Sequence, residues 1–239
     1  MRITAFNGSP KGESSNTEVM VSAFLQGALE AGAQVENIYL ADKNINYCQG
    51  CFQCVNSGGV CAIQDDMQDL LLKYVESDIV VIATPLMIDN ISGIMKVFLD
   101  RIFCIGNLNL EKDQNGESRR VRSRRFENRT LARIVVIANG GYPERTNFQV
   151  IELLMKRFAR NFNMEVIAEI YKPQGRLLTS KIKRLQPKIE YYKKLLNKAG
   201  QEIVMNLSIL EETKRLLEED FLPVEKYFQL INISSAKNL

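Results

Sequence analysis

A doubly wound α/β fold on a five-stranded parallel sheet is predicted by three observations. Five short β-rich segments alternate with segments of helical periodicity. The segment DIVVIAT at 78–84 is a continuous apolar run, as a strand buried on both faces requires, and LARIVVIA at 131–138 comes close to one. Three strand ends, at residues 8–17, 84–90 and 139–142, open into loops rich in Gly, Ser, Asn and Pro. Open α/β sheets bind their ligands at such ends. A helical extension follows residue 170.

RITAF at 2–6 is the first strand, stopped by Asn7-Gly8-Ser9-Pro10. From Asn16 the apolar residues Val19, Met20, Ala23, Phe24 and Ala28 recur at helical spacing. The loop between them, GSPKGESSNTE, combines hydroxyl and amide side chains with the positive end of a helix. It reads either as a phosphate cradle or as a capped helix start. It is neither a Walker A loop nor G-x-G-x-x-G. QVENIYL at 34–40 is the second strand. Asp65-Asp66 opens a helix through Glu76, DIVVIAT is the third strand, and Ser92 caps a helix over SGIMKVFLDRIF. Residues 107–129 form a polar stretch of poor periodicity that carries Arg119, Arg120, Arg122, Arg124, Arg125 and Arg129. A solvated mobile loop is expected there, with a phosphate or acidic-partner grip as the other reading. LARIVVIA is the fourth strand, residues 147–162 a helix and MEVIAEI at 164–170 the fifth strand. Beyond Tyr171 one helix runs through Ile203, a second covers 206–220, and an apolar tail follows. This extension is expected to cover a partner subunit or to pack across its own domain.

Four of the five cysteines fall within 14 residues, as C-x2-C-x2-C-x6-C at Cys48, Cys51, Cys54 and Cys61. Four thiolates suit Zn²⁺ or an iron–sulfur cluster. Three at x2 spacing with a fourth nearby are closer to a [4Fe–4S] run than to the paired C-x2-C of a zinc ribbon. Free thiols lining a loop are the remaining reading. Cys104 reads as a core residue.

The chain has no histidine, which removes His-based nucleophile activation, His general bases and His metal ligands. A net charge of +3 is too mild to point to nucleic acid. No apolar run reaches the 18 residues of a membrane span, and the N-terminus lacks a signal-peptide pattern, so a cytoplasmic protein is expected.

Taken together, these motifs resemble the flavodoxin-like NAD(P)H-dependent FMN reductases and, within them, the iron–sulfur flavoproteins. GSPKGESSNT resembles that family's G-S-P-R-x-x-x-N-T phosphate loop, and the cysteine run followed by D-D-M resembles its compact cluster motif. TPLMIDNISGIMKVFLDR and NGG at 139–141 resemble its second and third flavin loops. The resemblance implies that Ser9, Ser15, Asn16 and Thr17, with Lys11, hold an FMN phosphate. It implies that Pro85, Leu86, Met87, Ile88, Asp89 and Asn90 cradle the flavin ring, bordered by Asn139, Gly140 and Gly141. Cys48, Cys51, Cys54 and Cys61 would bind the cluster. Met87 stands where the family has an aromatic residue, and Asp89 where it has Gly. Three functions follow as expectations. The first is an FMN oxidoreductase or electron-transfer protein coupling a [4Fe–4S] cluster to FMN, with NAD(P)H or a ferredoxin as redox partner and a small-molecule acceptor. The second is a cluster-free NAD(P)H-dependent FMN or quinone reductase. The third is a non-enzymatic flavin- or zinc-binding module. A homodimer or homotetramer is implied.

Overall fold

The computed structural model describes residues 1–122, 126 and 132–236. Its strands are β1 (Arg2–Asn7), β2 (Gln34–Tyr39), β3 (Ile79–Pro85), β4 (Gly106–Lys112), β5 (Ser118–Arg122), β6 (Arg133–Asn139) and β7 (Val166–Lys172). Its α-helices are α1 (Asn16–Glu30), α2 (Gln53–Asn56), α3 (Met67–Glu76), α4 (Gly93–Arg101), α5 (Gln149–Asn161), α6 (Gln186–Asn206), α7 (Glu211–Leu217) and α8 (Val224–Ala236). Five strands pair in parallel in the order β2-β1-β3-β6-β7. The order reverses between β1 and β3, which makes their C-terminal ends the switch point of the sheet.

Strand alternation sends successive side chains to opposite cores. Phe6, Val80, Ile82, Ile134 and Val136 face α3, α4 and α5, where the Phe6 and Phe98 rings stack with centroids 4.5 Å apart. Ile3, Ala5, Val81, Val135 and Ile137 face α1 and α6. With both faces covered, β3 and β6 have no polar side to show. That is why they read as near-continuous apolar runs.

The segment after Tyr171 packs on the chain's own α1. A Cβ on Gly27 would sit 1.8 Å from the Asn197 carbonyl oxygen, and one on Gly200 would sit 2.0 Å from that of Phe24. Only glycine lets the two backbones touch. Buried polar groups complete the attachment. The Glu202 carboxylate accepts from Leu210 N–H (3.0 Å) and Thr213 Oγ1 (2.8 Å). Gln174 exchanges hydrogen bonds with both backbone groups of Leu222. Lys172 is wholly buried, its Nζ lies over the Tyr192 and Phe221 rings (4.6 and 4.3 Å), and it donates to the Glu219 carbonyl. Burial pulls its ammonium down to about 8, although Asp220 and Glu219 oppose the shift.

Four elements differ from expectation. Residues 106–122 form the antiparallel hairpin β4–β5 instead of a mobile loop. There Arg119 bonds Glu111 (2.8 Å) and Arg120 lies over the Phe103 ring (4.3 Å), so both are committed within the chain. Arg124, Arg125 and Arg129 lie outside the described residues. The fifth sheet strand starts at Val166, not at 164. Asn163 turns with φ 54°, and Met164 N–H returns to the Ala159 carbonyl (2.8 Å) to close α5. The helix expected over 206–220 shrinks to α7, because α6 continues to Asn206 and Leu207 ends it at φ 56°. The apolar tail contains α8, whose Tyr227 is buried.

Gly200→Ala must push α6 off α1. It should lower stability by at least the ~1–3 kcal/mol of ordinary overpacking, seen as a lower urea midpoint. An unchanged midpoint would show that the two backbones are not in contact.

Candidate functional site

Three strand-end loops meet at the C-terminal edge of the sheet. The first runs from Gly8 into α1. Ser15 is its N-cap, with Oγ accepting from Glu18 N–H (3.0 Å). The N–H groups of Asn16 and Thr17 have no acceptor among the described residues, so they present two donors and a positive helix end to a ligand. The loop is braced from beneath. Asn7 Oδ1 accepts from Ser9 N–H (3.0 Å), and Asn7 Nδ2 donates to Glu18 (3.2 Å). Burial raises the Glu18 carboxyl above its ordinary value, against the hydrogen bonds that lower it. Ser92 Oγ donates to the Gly8 carbonyl (2.6 Å), and Ser92 N–H donates to Thr84 Oγ1 (2.9 Å). A Cβ on Gly8 would fall 2.8 Å from Met95 Cβ.

The second loop follows β3. Leu86 N–H donates to the Asn139 carbonyl (2.7 Å), tying it to the third loop. Met87 and Asn90 exchange backbone hydrogen bonds (2.8 and 3.1 Å) around Ile88 and Asp89, whose φ values are 46° and 57°. A β-branched residue at positive φ is strained, and Ile88 is 96% exposed at the tip. The third loop, Asn139–Tyr142, is anchored by Asn139 Nδ2 donating to Thr17 Oγ1 (2.9 Å), which joins the first and third loops directly. Gly140 N–H donates to the Lys172 carbonyl (3.0 Å), and Gly175 N–H to that of Gly140 (2.7 Å).

The structure therefore brings the fourteen flavin-site positions named from the sequence to one edge, in different states. Ser9, Ser15, Thr17, Asn139 and Gly140 are buried. Lys11, Met87, Ile88, Asp89, Asn90 and Gly141 are exposed, and Pro85, Leu86 and Asn16 are half-buried. The Asn16 side chain already accepts from Thr179 Oγ1 (2.8 Å), and Ser15 Oγ already caps α1. Ser9, Ser15 and Thr17 each already accept one hydrogen bond at the hydroxyl oxygen and keep the O–H, so these hydroxyls and the backbone N–H groups are the donors placed for an anion. A helix N-terminus whose first amides have no acceptor among the described residues fits a flavin phosphate, and the apolar loop after β3 facing Gly140 fits a flat ring.

The four clustered cysteines line one cavity of about 80 Å³ together with Cys104, Arg101, Phe52 and Phe103. Gly58 and Gly59, at φ 69° and 105°, turn the chain so that Cys61 returns to the cavity. Cys48 and Cys51 are exposed, Cys54 and Cys61 half-buried and Cys104 buried. Cys104 lies within hydrogen-bond reach of both Cys54 and Cys61. Its core position agrees with the sequence reading, but its place beside the thiol run was not foreseen. Burial raises the Cys54 and Cys104 thiols. Among the described residues no group of three or more His, Cys, Asp or Glu side chains stands ready to hold a metal ion. The donor set suits a thiolate-bound centre in chemistry, since all four cysteines of the run line the one cavity.

A buried ion pair holds this loop. Arg101, at the end of α4, makes two bonds to Asp65 (2.6 and 2.9 Å), with side chains 1% and 0% exposed. Asp65 also accepts from the N–H groups of Asn46 (2.8 Å) and Met67 (3.1 Å). Burial alone would raise its carboxyl; the Arg101 guanidinium and these donors outweigh that and hold it at about 2. Sequence reading missed the pair, yet there was a signal. Arg101 falls on the same helical stripe as Met95, Phe98 and Ile102, where an unpaired charge could not be buried.

Residues 1–155 match the family model described as NADPH-dependent FMN reductase. An iron-sulfur flavoprotein of Archaeoglobus fulgidus is 33% identical over 144 residues, covering 60% of this chain and 58% of that protein. An iron-sulfur flavoprotein of Methanocaldococcus jannaschii is 36% identical over 101 residues, 42% of this chain and 51% of that one. The chain thus spans between half and three-fifths of the length of these curated relatives. The solved structure of an FMN-dependent NADH-azoreductase from Bacillus anthracis in complex with FMN superposes with a TM-score of 0.59. That superposition covers 85% of this chain and 99% of that one at 17% identity, a likeness of fold.

Asp65→Asn leaves Arg101 charged, buried and without its counter-ion, and should cost about 3–5 kcal/mol. Because the Asp65 carboxyl is depressed from an ordinary 3.8 to about 2, its contribution is present above 3.8 and is lost as pH falls toward 2. Urea unfolding at stepped pH should show the parent's advantage over Asp65→Asn intact at about pH 5 and shrinking between roughly pH 4 and 2. An advantage that does not change with pH would contradict the ion pair.

Proposed function

Because the chain belongs to the NADPH-dependent FMN reductase family, we propose that it is an FMN-dependent oxidoreductase whose cysteine loop carries a [4Fe–4S] cluster. The observation that carries the flavin half is the junction of three loops at the β1/β3 switch point, with unpartnered amides at the start of α1. Ser9, Ser15, Thr17 and the N–H groups of Asn16 and Thr17 hold the phosphate, with Lys11 supplying charge and Ser15 also keeping the helix start in place. Residues 85–90 and Asn139, Gly140 and Gly141 receive the ring. Cys48, Cys51, Cys54 and Cys61 bind the cluster. Bound together, the flavin supplies two-electron chemistry and the cluster single-electron transfer.

The chain's own residues orient and exclude. Asn139 fixes Thr17, so the phosphate end and the ring end are held at one spacing. The Met87–Asn90 turn sets an exposed apolar tip, Ile88, and a carboxylate, Asp89, at the mouth of the ring site. No catalytic side chain is assigned, in keeping with a chain without histidine. Residues 1–170 serve as the flavin-binding unit and 171–239 as a brace for its loops. NAD(P)H or a ferredoxin donates, a small molecule accepts, and the protein works as a homodimer or homotetramer. Among the described residues no helix is long and apolar enough to cross a membrane.

A cluster-free NAD(P)H-dependent FMN or quinone reductase is the second reading, favoured by the lack of a ready-placed ligand group among the described residues. Iron, zinc, acid-labile sulfide and flavin are measured on protein purified without oxygen. The expected result is one FMN with about four iron and four sulfide, and Cys54→Ala should lose iron and sulfide while keeping FMN. FMN without iron moves the assignment to the cluster-free reductase. Zinc without flavin overturns both halves.

A further inference from the structure

The last residue of α4 brings a positive charge into the thiol cavity and does not use all of its donors. Arg101 Nη1 donates to the Asn46 carbonyl (2.7 Å) and to Asp65 Oδ2 (2.6 Å). Nη2 donates to Asp65 Oδ1 (2.9 Å) and lies 3.5 Å from Cys61 Sγ. Nε is buried and has no partner among the described residues. The side chain is 1% exposed and lines the cavity shared by the five cysteines.

An arrangement that only stapled the loop would not need this. A buried ion pair is weak evidence for stability, since packed apolar residues of the same volume often do as well. A buried N–H left unpaired on a charged group is a further cost. Both features make sense if something acceptor-rich and negative occupies the cavity. Four thiolates around one centre are of that kind, and hydrogen bonds to the sulfurs help set the potential of such a centre. The guanidinium is a planar fork with donors on several sides, so it can hold a carboxylate on one edge and face sulfur with another.

We propose that Arg101 is the positioning residue of the cysteine site, with its Nε–H and Nη2–H donating to sulfur of the thiolate-bound centre while Asp65 and the Asn46 carbonyl hold the guanidinium in place. This rests on the cluster reading above. Donors at sulfur favour the more negative, reduced state. Removing them shifts the midpoint potential to more negative values and speeds the loss of iron to a chelator.

The test compares the full-length parent, Arg101→Lys, and Arg101→Gln combined with Asp65→Asn. The double substitution leaves no buried unpaired charge. Each protein is reconstituted without oxygen from ferrous iron and sulfide, checked by far-UV circular dichroism, assayed for iron and sulfide, and titrated spectroelectrochemically. The expected result is a clearly more negative midpoint in the folded double variant, with a smaller but definite negative shift in Arg101→Lys, which keeps the charge and loses the Nε–H and Nη2–H pair. A folded double variant that retains no iron while Arg101→Lys does retain it also supports the proposal. A midpoint equal to the parent's overturns it. If the double variant does not fold, Arg101→Lys decides: a negative shift supports, and no shift overturns. A parent that takes up neither iron nor sulfide defeats the cluster reading itself, and the proposal with it. That failure is separate because it is read on the parent.

Discussion

The buried pair between Arg101 and Asp65 is the interaction on which the arrangement of both sites depends. The cysteine loop has little core of its own, since Cys48, Cys51, Phe52 and Val60 are exposed. It is held by Asp65, which gathers the loop's entry at Asn46, the start of α3 and the end of α4 around one carboxylate. At the opposite end of α4, Ser92 caps the helix and bonds the Gly8 carbonyl and Thr84. The helix is thus a strut of nine residues, about 13 Å of rise. Its first turn is fixed to the loops of β1 and β3, and its last to the cysteines. Two sites that sequence separates by tens of residues are set at one distance by one short helix.

The C-terminal extension supports the same edge from the other side. Its contact with α1 is made through Gly27 and Gly200, at a separation that admits no side chain. From there it reaches the site loops. Thr179 holds Asn16, Tyr227 Oη donates to the Gly141 carbonyl, and Arg176 lies beside Gly141. Buried Lys172, in its cage of Tyr192, Phe221 and the Glu219 carbonyl, ties the end of β7 to the extension. A charge is an expensive way to fill that space. The backbone carbonyl of Lys172 accepts from Gly140 N–H, so the third loop is positioned by the same residue.

Local strain marks the loop that follows β3. Ile88 and Asp89 both take positive φ in a turn closed by Met87 and Asn90. Glycine would adopt this backbone at no cost, and the resemblance calls for Gly where Asp89 stands. The turn keeps its shape because its ends are held, by the Leu86 bond to Asn139 on one side and by Ser92 on the other. The result is an exposed apolar tip and a carboxylate fixed at the C-terminal edge of the sheet.

What the sequence by itself determined is what short-range physics encodes. Apolar runs at 78–84 and 131–138 must be buried on both faces, and small polar residues after strands must be loops. Their order required a doubly wound sheet and placed Ser9, Thr17 and Asn139 on one edge. The four cysteines were visible for the same reason, as neighbours in the chain. Only the tertiary structure decided what depends on residues far apart. The place of Arg101 on an apolar stripe hints that it is buried, but its counter-ion, Asp65, 36 positions earlier, is found only in the fold. Cys104 joins the thiols through the fold, not through its spacing. Gly27 and Gly200 look like ordinary helix interruptions until each is found under the other helix's backbone. The β4–β5 hairpin escaped notice because its strands pack little of their surface, so periodicity carried no sign of burial. Periodicity reports which face of an element is buried; it carries no record of which distant residue buries it.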